Sequence, residues 1–490
     1  MTARDFTARS FDGDLAGITS AIAYAGSNGV VHVYPGNAAI TIPTVPAGVT
    51  LIKHEAGETT IYGDTYFRGA PWYDVKAYGA KGDGVTDDTA AIQAAIDAST
   101  DGNVFAPAGS YKITSSLTSI GKKINLIGAG RDLTIILTTA TGHDGWGIST
   151  GSRMAHLTLR GPNAASAGNA GLDSGNATDV AVEDCIIEQW GDAGINTGGS
   201  SARWIIRNNI IRNNLQQGIF IASNTTDCVV SDNIVTGNSA NGIDVNGQRN
   251  VISDNVVRSN GGSGGATDRW GILISAVSGA NADYNSVTGN IVSASGAQGI
   301  IVRATAGQTA NYNKIIGNTS IANTGSGSNG DGIAIDGSAA GTLTGNQIIG
   351  NLCQGNQRHG IAVDGTVATT TQTLVGGNTC LGNTTTGILI TTGAPTDSEV
   401  SGNICLGNGT QLTDSGTRTV VAGNKTSATD GYYGLGSDAN LDAGKVLRVN
   451  GTAVVGAQGA AVADATDPAS TMARLNDLLA RLRTHGLIAT

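Results

Sequence analysis

The sequence predicts an all-β chain wound as a right-handed parallel β-helix of about ten coils, and three observations carry the prediction. Asn recurs in pairs five residues apart, at Asn209/Asn214, Asn233/Asn238, Asn255/Asn260, Asn318/Asn323, Asn351/Asn356, Asn378/Asn383 and Asn403/Asn408. Gly-Ile recurs at 194, 218, 242, 271, 299, 332, 360 and 387, each time opening a short alternating stretch such as Gly218-Ile219-Phe220-Ile221. Composition is the third observation: Gly is 73 of 490 residues, Pro only 8, aromatics 4% and hydrophobic residues 40%. That mixture suits a thin core of Val, Ile and Leu between stacked short strands, and neither collagen nor a Pro-rich disordered chain.

Alternation with period two places Ile219 and Ile221, or Ile361 and Val363, inside, and Phe220 or Asp364 outside. Strands of this kind, joined by 20 to 35 residues without helical period, close their parallel hydrogen bonds only as a solenoid. Asn tolerates left-handed backbone and bonds neighbouring peptides, so it is expected at the tight turn of every coil, bonded to its counterparts above and below. Cys353, Cys380 and Cys405 each follow an Asn by two residues. They are expected to stack in successive coils as small buried hydrophobes, without metal-ligand spacing.

Towards the N-terminus, Asp87-Asp88-Thr89 ahead of Ala90 to Ile96 reads as a capped amphipathic helix leading into strands at Val104 and Ile124. A weaker copy of that order, a helix from Ala16 to Ala25 and strands at Val31 and Val49, suggests an internal duplication. In both units a helix plugs the end of the solenoid. After Asn424 the repeat stops. Val446 to Val455 reads as a hairpin with an Asn450-Gly451 turn, and Asp467-Pro468 opens a helix with Met472, Leu475, Leu479 and Leu482 spaced 3-4-3. The domain plan is therefore a capping unit at 1–70, the β-helix at 71–425 and an oligomerisation segment at 426–490.

A net charge of −10 with no basic block argues against nucleic acid as a partner. No run of apolar residues is long enough for a membrane span, and Met1 to Ser10 lacks the apolar stretch of a secretory signal. No cofactor or metal is expected. Asp83, Asp87 and Asp88 lack calcium-loop spacing and are read as helix capping.

The stretch from Trp72-Tyr73-Asp74-Val75 through Gly79-Ala80-Lys81-Gly82-Asp83-Gly84 to Asp87-Asp88-Thr89-Ala90-Ala91-Ile92-Gln93 resembles the opening motif of the pectate-lyase-like β-helix superfamily. That superfamily includes phage tailspike polysaccharide depolymerases and mannuronan C5-epimerases. With the repeats, the resemblance covers roughly residues 72 to 425. It implies a polysaccharide substrate without naming the reaction. The epimerases' Tyr-Gly-Phe-Asp-Pro-His signature aligns best with Ala193 to Gly198, where its Asp and His are both missing. The polygalacturonase signatures are missing too. The block from Val446 to Ile488 resembles the ends of phage tail proteins, which implies a homotrimer on a virion tail or in the extracellular space.

Two coils carry Gly/Ser-rich insertions in the same turn, at 261–270 and 324–331. Loops projecting from one edge wall a groove. Asp268, Arg269, Trp270 and Arg303 are its candidate substrate-binding residues, with Trp270 either a platform for a sugar ring or a cover for the turn beneath. Counting along the Gly-Ile strands, Asp331 and His359 precede the Gly of their coils, and Asp336 and Asp364 stand fifth. Stacking of coils about 4.8 Å apart brings Asp336 and Asp364 near the spacing of a paired-carboxylate glycosidase. With Asp331 and His359 they form the expected catalytic set. Asp244, expected exposed between Phe220 and Leu273, is a further candidate acid, or a partner for Arg249. A hydrolase needs two acids; a lyase needs a cation for the uronate, for which Arg303 alone is placed. The reading is a glycan hydrolase in preference to a lyase, with a noncatalytic carbohydrate-binding or structural tail protein as the alternative. Leu273, Ile301 and Leu389 are expected as exposed apolar positions at a trimer contact.

Overall fold

The computed structural model describes residues 72–427 except 165–168, 263–268, 278, 326–329, 338–339 and 392–394, together with strands at 5–7, 30–33, 50–55, 58–62, 447–449 and 452–455. The chain is a right-handed parallel β-solenoid of about 12 turns. Each turn contributes a strand to each of three sheets. The first sheet ends at Val420–Ala422, the second runs from Asp83–Asp87 to Ile404–Leu406 with 13 strands, and the third runs from Leu117–Thr118 to Thr410–Asp414 with 12. Register is strict, so like residues stack: Ile205 on Val229, Ile210 on Ile234, Ile219 on Ile243. Among the described strands only Glu58–Tyr62 and the hairpin Leu447–Val449/Thr452–Val455 pair antiparallel.

The three-residue strands of the first two sheets point their middle residue inward. Val182, Ile206, Val230 and Ile252 in the first sheet, and Ile187, Ile211 and Val235 in the second, are fully buried. In the third sheet Ile219 and Ile221 both point inward, as expected from the alternation. Cys353, Cys380 and Cys405 stack in register, buried and free.

Inside the corners run ladders of Asn. Asn255 is representative: its Oδ1 accepts from Asn233 N (3.0 Å) and Asn233 Nδ2 (2.9 Å). Its Nδ2 donates to Val230 O (2.8 Å) and to Asn290 Oδ1 (2.9 Å). One ladder continues through Asn318, Asn351, Asn378 and Asn403 to Asn424, and a second passes through Asn214, Asn238 and Asn260. The bonding matches the expectation, but the backbone does not. The left-handed residue is the one just before each ladder Asn, as at Asn208, Asp232, Asp254 and Gly317. That residue turns the corner, and the Asn after it aims its amide inward. A third ladder, Asn250, Asn285, Asn313 and Asn346, lies five residues ahead of the first.

The Gly of Gly-Ile belongs to the same device. A Cβ on Gly242 would stand 2.6 Å from Gly271 O and 2.8 Å from Asn260 Nδ2, so only Gly lets the ladder amide and the next coil approach.

Helix α1 (Thr89–Ala98) lies at the N-terminal end of the described solenoid, with Ile92, Ala95 and Ile96 buried in the core. The capping expectation needs correction. Asp88 occupies the N-cap position without a side-chain cap bond; its carboxylate instead accepts Lys81 N (2.6 Å) and Gly82 N (3.0 Å). Asp83 binds Thr86 and Asp87 binds Thr89 in turns of their own. The expected helices at 16–25 and after Pro468 lie outside the described residues.

Arg and Glu clamp neighbouring coils from outside. Glu183 bridges Arg153 (2.6 Å) and Arg207 (2.5 Å), and Glu188 bridges Arg160 (2.6 Å) and Arg212 (2.7 Å). Burial pulls the pKa of each Glu upward, but the two guanidiniums outweigh it and the net shift is downward.

Two predictions follow from the packing. Asn255→Ala strands the buried partners on both sides and should cost about 3 kcal/mol or more in a denaturant titration; a loss under about 1 kcal/mol would deny the ladder its structural role. The clamped carboxylates, with folded pKa values below the ordinary glutamate value of 4.5, contribute stability that is present above it and lost as pH falls through the lowered value. Thermal scans should show melting dropping steeply in that acid window, and less steeply in Glu188→Gln.

Candidate active site

The outer face of the third sheet is where strands, insertions and acids meet. Its central outward column runs in register through Gly147, Asp173, Asn196, Phe220, Asp244 and Leu273. Outward-pointing does not mean exposed here. Trp270, Leu273, Ala297, Ile301 and Ala334 form a buried cluster outside the solenoid wall. The insertion at 261–270 ends in Trp270, whose N–H donates to Asn241 Oδ1 (3.0 Å) and whose ring Nε1 donates to Gln298 Oε1 (2.7 Å). This folds the indole flat over the sheet.

Several expectations change accordingly. Trp270 is 7% exposed, and the Arg303 guanidinium sits 4.3 Å over its ring, so it covers the turn rather than offering an open platform. Arg303 also reaches Ser275 Oγ (3.2 Å). Leu273 and Ile301 are 2% and 1% exposed, which removes them as apolar contacts for another subunit; Leu389 is half-buried. Asp244, expected exposed, is buried and accepts Asn241 Nδ2 (2.9 Å), while Arg249 pairs with Asp227 instead. Arg269 is half-buried. Asp268 lies outside the described residues.

The expected catalytic set is distributed over both edges of the strands. Asp331, expected to face solvent, is fully buried, and its Oδ1 accepts Arg358 Nε (2.7 Å) and His359 N (3.1 Å). Burial raises its pKa to about 6 despite Arg358. His359 is also buried, and desolvation with the Arg358 charge lowers its pKa to about 4. At the other edge Asp336 lies in register with Arg303, and Asp364 follows in the next coil through Asp364 N to Ile335 O (2.9 Å). The Asp364 carboxylate accepts Thr366 N (2.8 Å) and Thr391 Oγ1 (3.0 Å), bonds that hold its own turn.

A second set of acids lies on earlier coils of the same face. Asp173 is half-buried in register with Gly147 of the preceding coil. Its pKa is pushed up to about 6, first by burial and then by the charges of Asp144 and Asp192. Asp144 is raised as well, chiefly by desolvation, although its Oδ1 accepts Ala170 N (2.9 Å). Asn169 lies between the two flanking acids: its carbonyl accepts Asp192 N (3.2 Å), and the next residue supplies the N–H to Asp144. Asn169 Nδ2 is buried without a hydrogen-bond partner among the described residues. Beyond Asp173 the strands run into a depression of about 430 Å³ lined by Lys122, Lys123, Ser149 and Asn176.

Sequence reasoning passed over this trio because its coils precede the regular Asn pairs on which the register was counted. Extending the Gly-apolar step back to Gly171-Leu172 and Gly145-Trp146 would have found it. Among the described residues no three His, Cys, Asp or Glu side chains gather as a metal site.

Residues 72–289 match the family model described as rhamnogalacturonase A/epimerase, pectate lyase-like. Mannuronan C5-epimerase AlgE2 of Azotobacter vinelandii is 31% identical over 224 residues, 39% of this chain and 22% of that protein, so the chain spans about a fifth of this curated relative. The A-module of mannuronan C-5 epimerase AlgE6 of the same organism superposes with a TM-score of 0.60 at 24% identity, covering 73% of this chain and all of that module. The catalytic unit of the GH87 alpha-1,3-glucanase of Streptomyces thermodiastaticus gives a TM-score of 0.58 at 17% identity, over 73% of this chain and 69% of that unit. By family model over residues 72–289 and by fold beyond them, the chain carries a pectate-lyase-like right-handed parallel β-helix, the scaffold shared by that epimerase and that glucanase.

Proposed function

We propose that the protein is a polysaccharide-cleaving enzyme, a glycoside hydrolase in preference to a lyase, with its reacting centre at Asp144, Asp173 and Asp192. One observation carries the reading: Asp173, half-buried on the third sheet's outer face, has its pKa raised to about 6 by burial and by two neighbouring carboxylates. A raised acid beside an ionisable partner is the division of labour glycoside hydrolysis needs. Asp173 protonates the leaving oxygen, and Asp144 or Asp192 serves as base or nucleophile. The names of the relatives, an epimerase of mannuronan and an alpha-1,3-glucanase, support a polysaccharide as substrate.

The later acids Asp336 and Asp364, with Asp331 and His359 at the opposite edge of the same strands, are the second centre this face offers. Parallel variants separate the two. Asp173→Asn should lower kcat by about two orders of magnitude or more on a cleaved exopolysaccharide, with Asp336→Asn and Asp364→Asn near parent activity. Loss in the latter two with full activity in Asp173→Asn would place the chemistry in the later coils. The parent rate should fall as pH rises through about 6, where Asp173 loses its proton.

The same raised pKa predicts a stability effect. Its contribution is complete below the ordinary aspartate range and lost as pH rises through about 6, so Asp173→Asn should melt higher than the parent at pH 8 and close to it at pH 4. Equal melting at both pH values would show that Asp173 is not held protonated.

A homotrimer in a virion tail or extracellular setting completes the reading. Its support is the 3-4-3 apolar stripe from Met472 to Leu482 and the tail-protein resemblance of 446–488. Light scattering of the full chain should give three times the chain mass and a chain ending at Asn424 should not; a monomer at micromolar concentration would overturn the assembly.

A further inference from the structure

The corner that follows the third sheet leads onto the outer face of the first, away from the acids. We infer that a groove along the leading edge of the first sheet, ending at the stacked rings of Tyr284 and Tyr312, binds the sugar rings of a polysaccharide chain apart from the reacting centre; the inference rests on the reading of a polysaccharide-acting enzyme just proposed.

Tyr284 and Tyr312 are 58% and 44% exposed, and no other Phe, Tyr or Trp among the described residues is exposed. Their rings stack, with centroids 5.2 Å apart and planes 15° from parallel. Both residues hold left-handed backbone, at φ of 61° and 55°, a costly conformation for a bulky side chain that the ladder does not require. In the preceding coils the same corner position holds Asp179, Arg203, Asp227 and Arg249, and in the following coil it holds Gly345. Tyr312 lies over Gly345, where a Cβ would stand 2.6 Å from its Cδ1 and Cε1, so that end of the stack is closed. Tyr284 turns its other face towards the preceding coil, whose Arg249 directs its guanidinium away to Asp227 (2.8 and 2.9 Å). One aromatic face is thereby left open.

That face looks along a row of aliphatic side chains. Ala181, Ile205, Val229 and Val251 stack in register, each two residues after the corner position, and Ile205 and Val251 are exposed. A depression of about 340 Å³ opens over the first three, walled by Asp179, Arg203 and Asp227. Arg203 grips Asp179 through Nε and Nη2 (2.7 Å each), and Arg249 grips Asp227 in the same way. The Nη1 of each guanidinium is left without a hydrogen-bond partner among the described residues. Ser286 and Lys314 continue the row beside the two rings. From Ala181 to Lys314 the row climbs five coil steps, about 24 Å at roughly 4.8 Å each.

A sugar ring has an apolar C–H face and a rim of hydroxyls. The aliphatic floor and the open face of Tyr284 suit the first; the spare guanidinium donors and the remaining lone pairs of the fixed carboxylates suit the second. A second copy of this chain suits the strip less well. Two half-exposed tyrosines offer roughly 200 Å², against about 800 Å² per partner in a stable interface. Such a contact would also take the exposed Asp–Arg pairs out of water, which costs more than their attraction returns unless the fit is close.

The test measures retardation of the full chain in gels containing mannuronan or one of a panel of bacterial exopolysaccharides, with reducing ends assayed on the same polymers. The parent is compared with a Tyr284→Asn/Tyr312→Asn chain, Asn being tolerated in left-handed backbone, and with Arg203→Gln, which leaves the rings in place. At least one polymer should retard the parent. Its affinity should fall by about tenfold or more in the double variant and in the same direction in Arg203→Gln, with light-scattering mass unchanged and, where the polymer is cleaved, KM raised at constant kcat. Equal retardation in either variant would overturn the groove and leave the acid centre standing. Loss of retardation together with a fall in mass would make the rings a contact between copies and overturn the inference as well, as would a parent that no polymer retards. Ring-dependent retardation without any product would leave the groove standing and overturn the hydrolase reading instead.

Discussion

In-register stacking of one coil on the next is the constraint on which everything else in this protein depends. A parallel strand of three residues makes few hydrogen bonds, and its corners would leave peptide groups buried and unpaired. The Asn ladders remove that deficit. Each amide accepts from the coil on one side, donates to the coil on the other and ties a carbonyl as well, so the corners that carry a ladder Asn are satisfied by their neighbours. The same arrangement explains the Gly before Ile, since the ladder amide occupies the space a Cβ would need. The core the ladders enclose is lined by Ile and Val in the later coils, while Trp146, Trp190 and Trp204 fill it in the earlier ones.

Against that rigid frame the third sheet is used unevenly. In the later coils the insertion ending at Trp270 lays its indole on Leu273, Ile301 and Ala334 and builds a small second core outside the wall. In the earlier coils Asp173 stands half-buried in register with Gly147. One sheet thus presents a dry, packed half and an acidic half. The buried Asp331 with Arg358 belongs to the first, where an ion pair taken from water needs close partners to persist.

Relatives with a shared scaffold and different named activities show that the coil carries no chemistry of its own; the side chains on its outer face do. Here the position matching the epimerase signature holds Asn196 and Thr197, while the acids stand on adjacent coils and turns. An acid pushed up chiefly by its own burial and then by its neighbours suits proton donation to a leaving group.

The sequence by itself determined the solenoid, its parallel register, the inward Ile and Val, the Cys stack and the place of the coils, because period-two alternation and the recurrence of Asn and Gly-Ile are one-dimensional signals that stacking simply repeats. It also placed Asp336 beside Asp364 in consecutive coils. It misplaced the left-handed residue by one position, since both the turn and the ladder favour Asn. It did not reveal that Trp270, Leu273 and Asp244 are buried. Alternation says which way a side chain points, whereas exposure depends on what an insertion from another coil lays over it, and that is settled only when the chain closes on itself. The trio at Asp144, Asp173 and Asp192 is a tertiary fact for the same reason: residues up to 48 positions apart share one field only because the coils that carry them lie side by side.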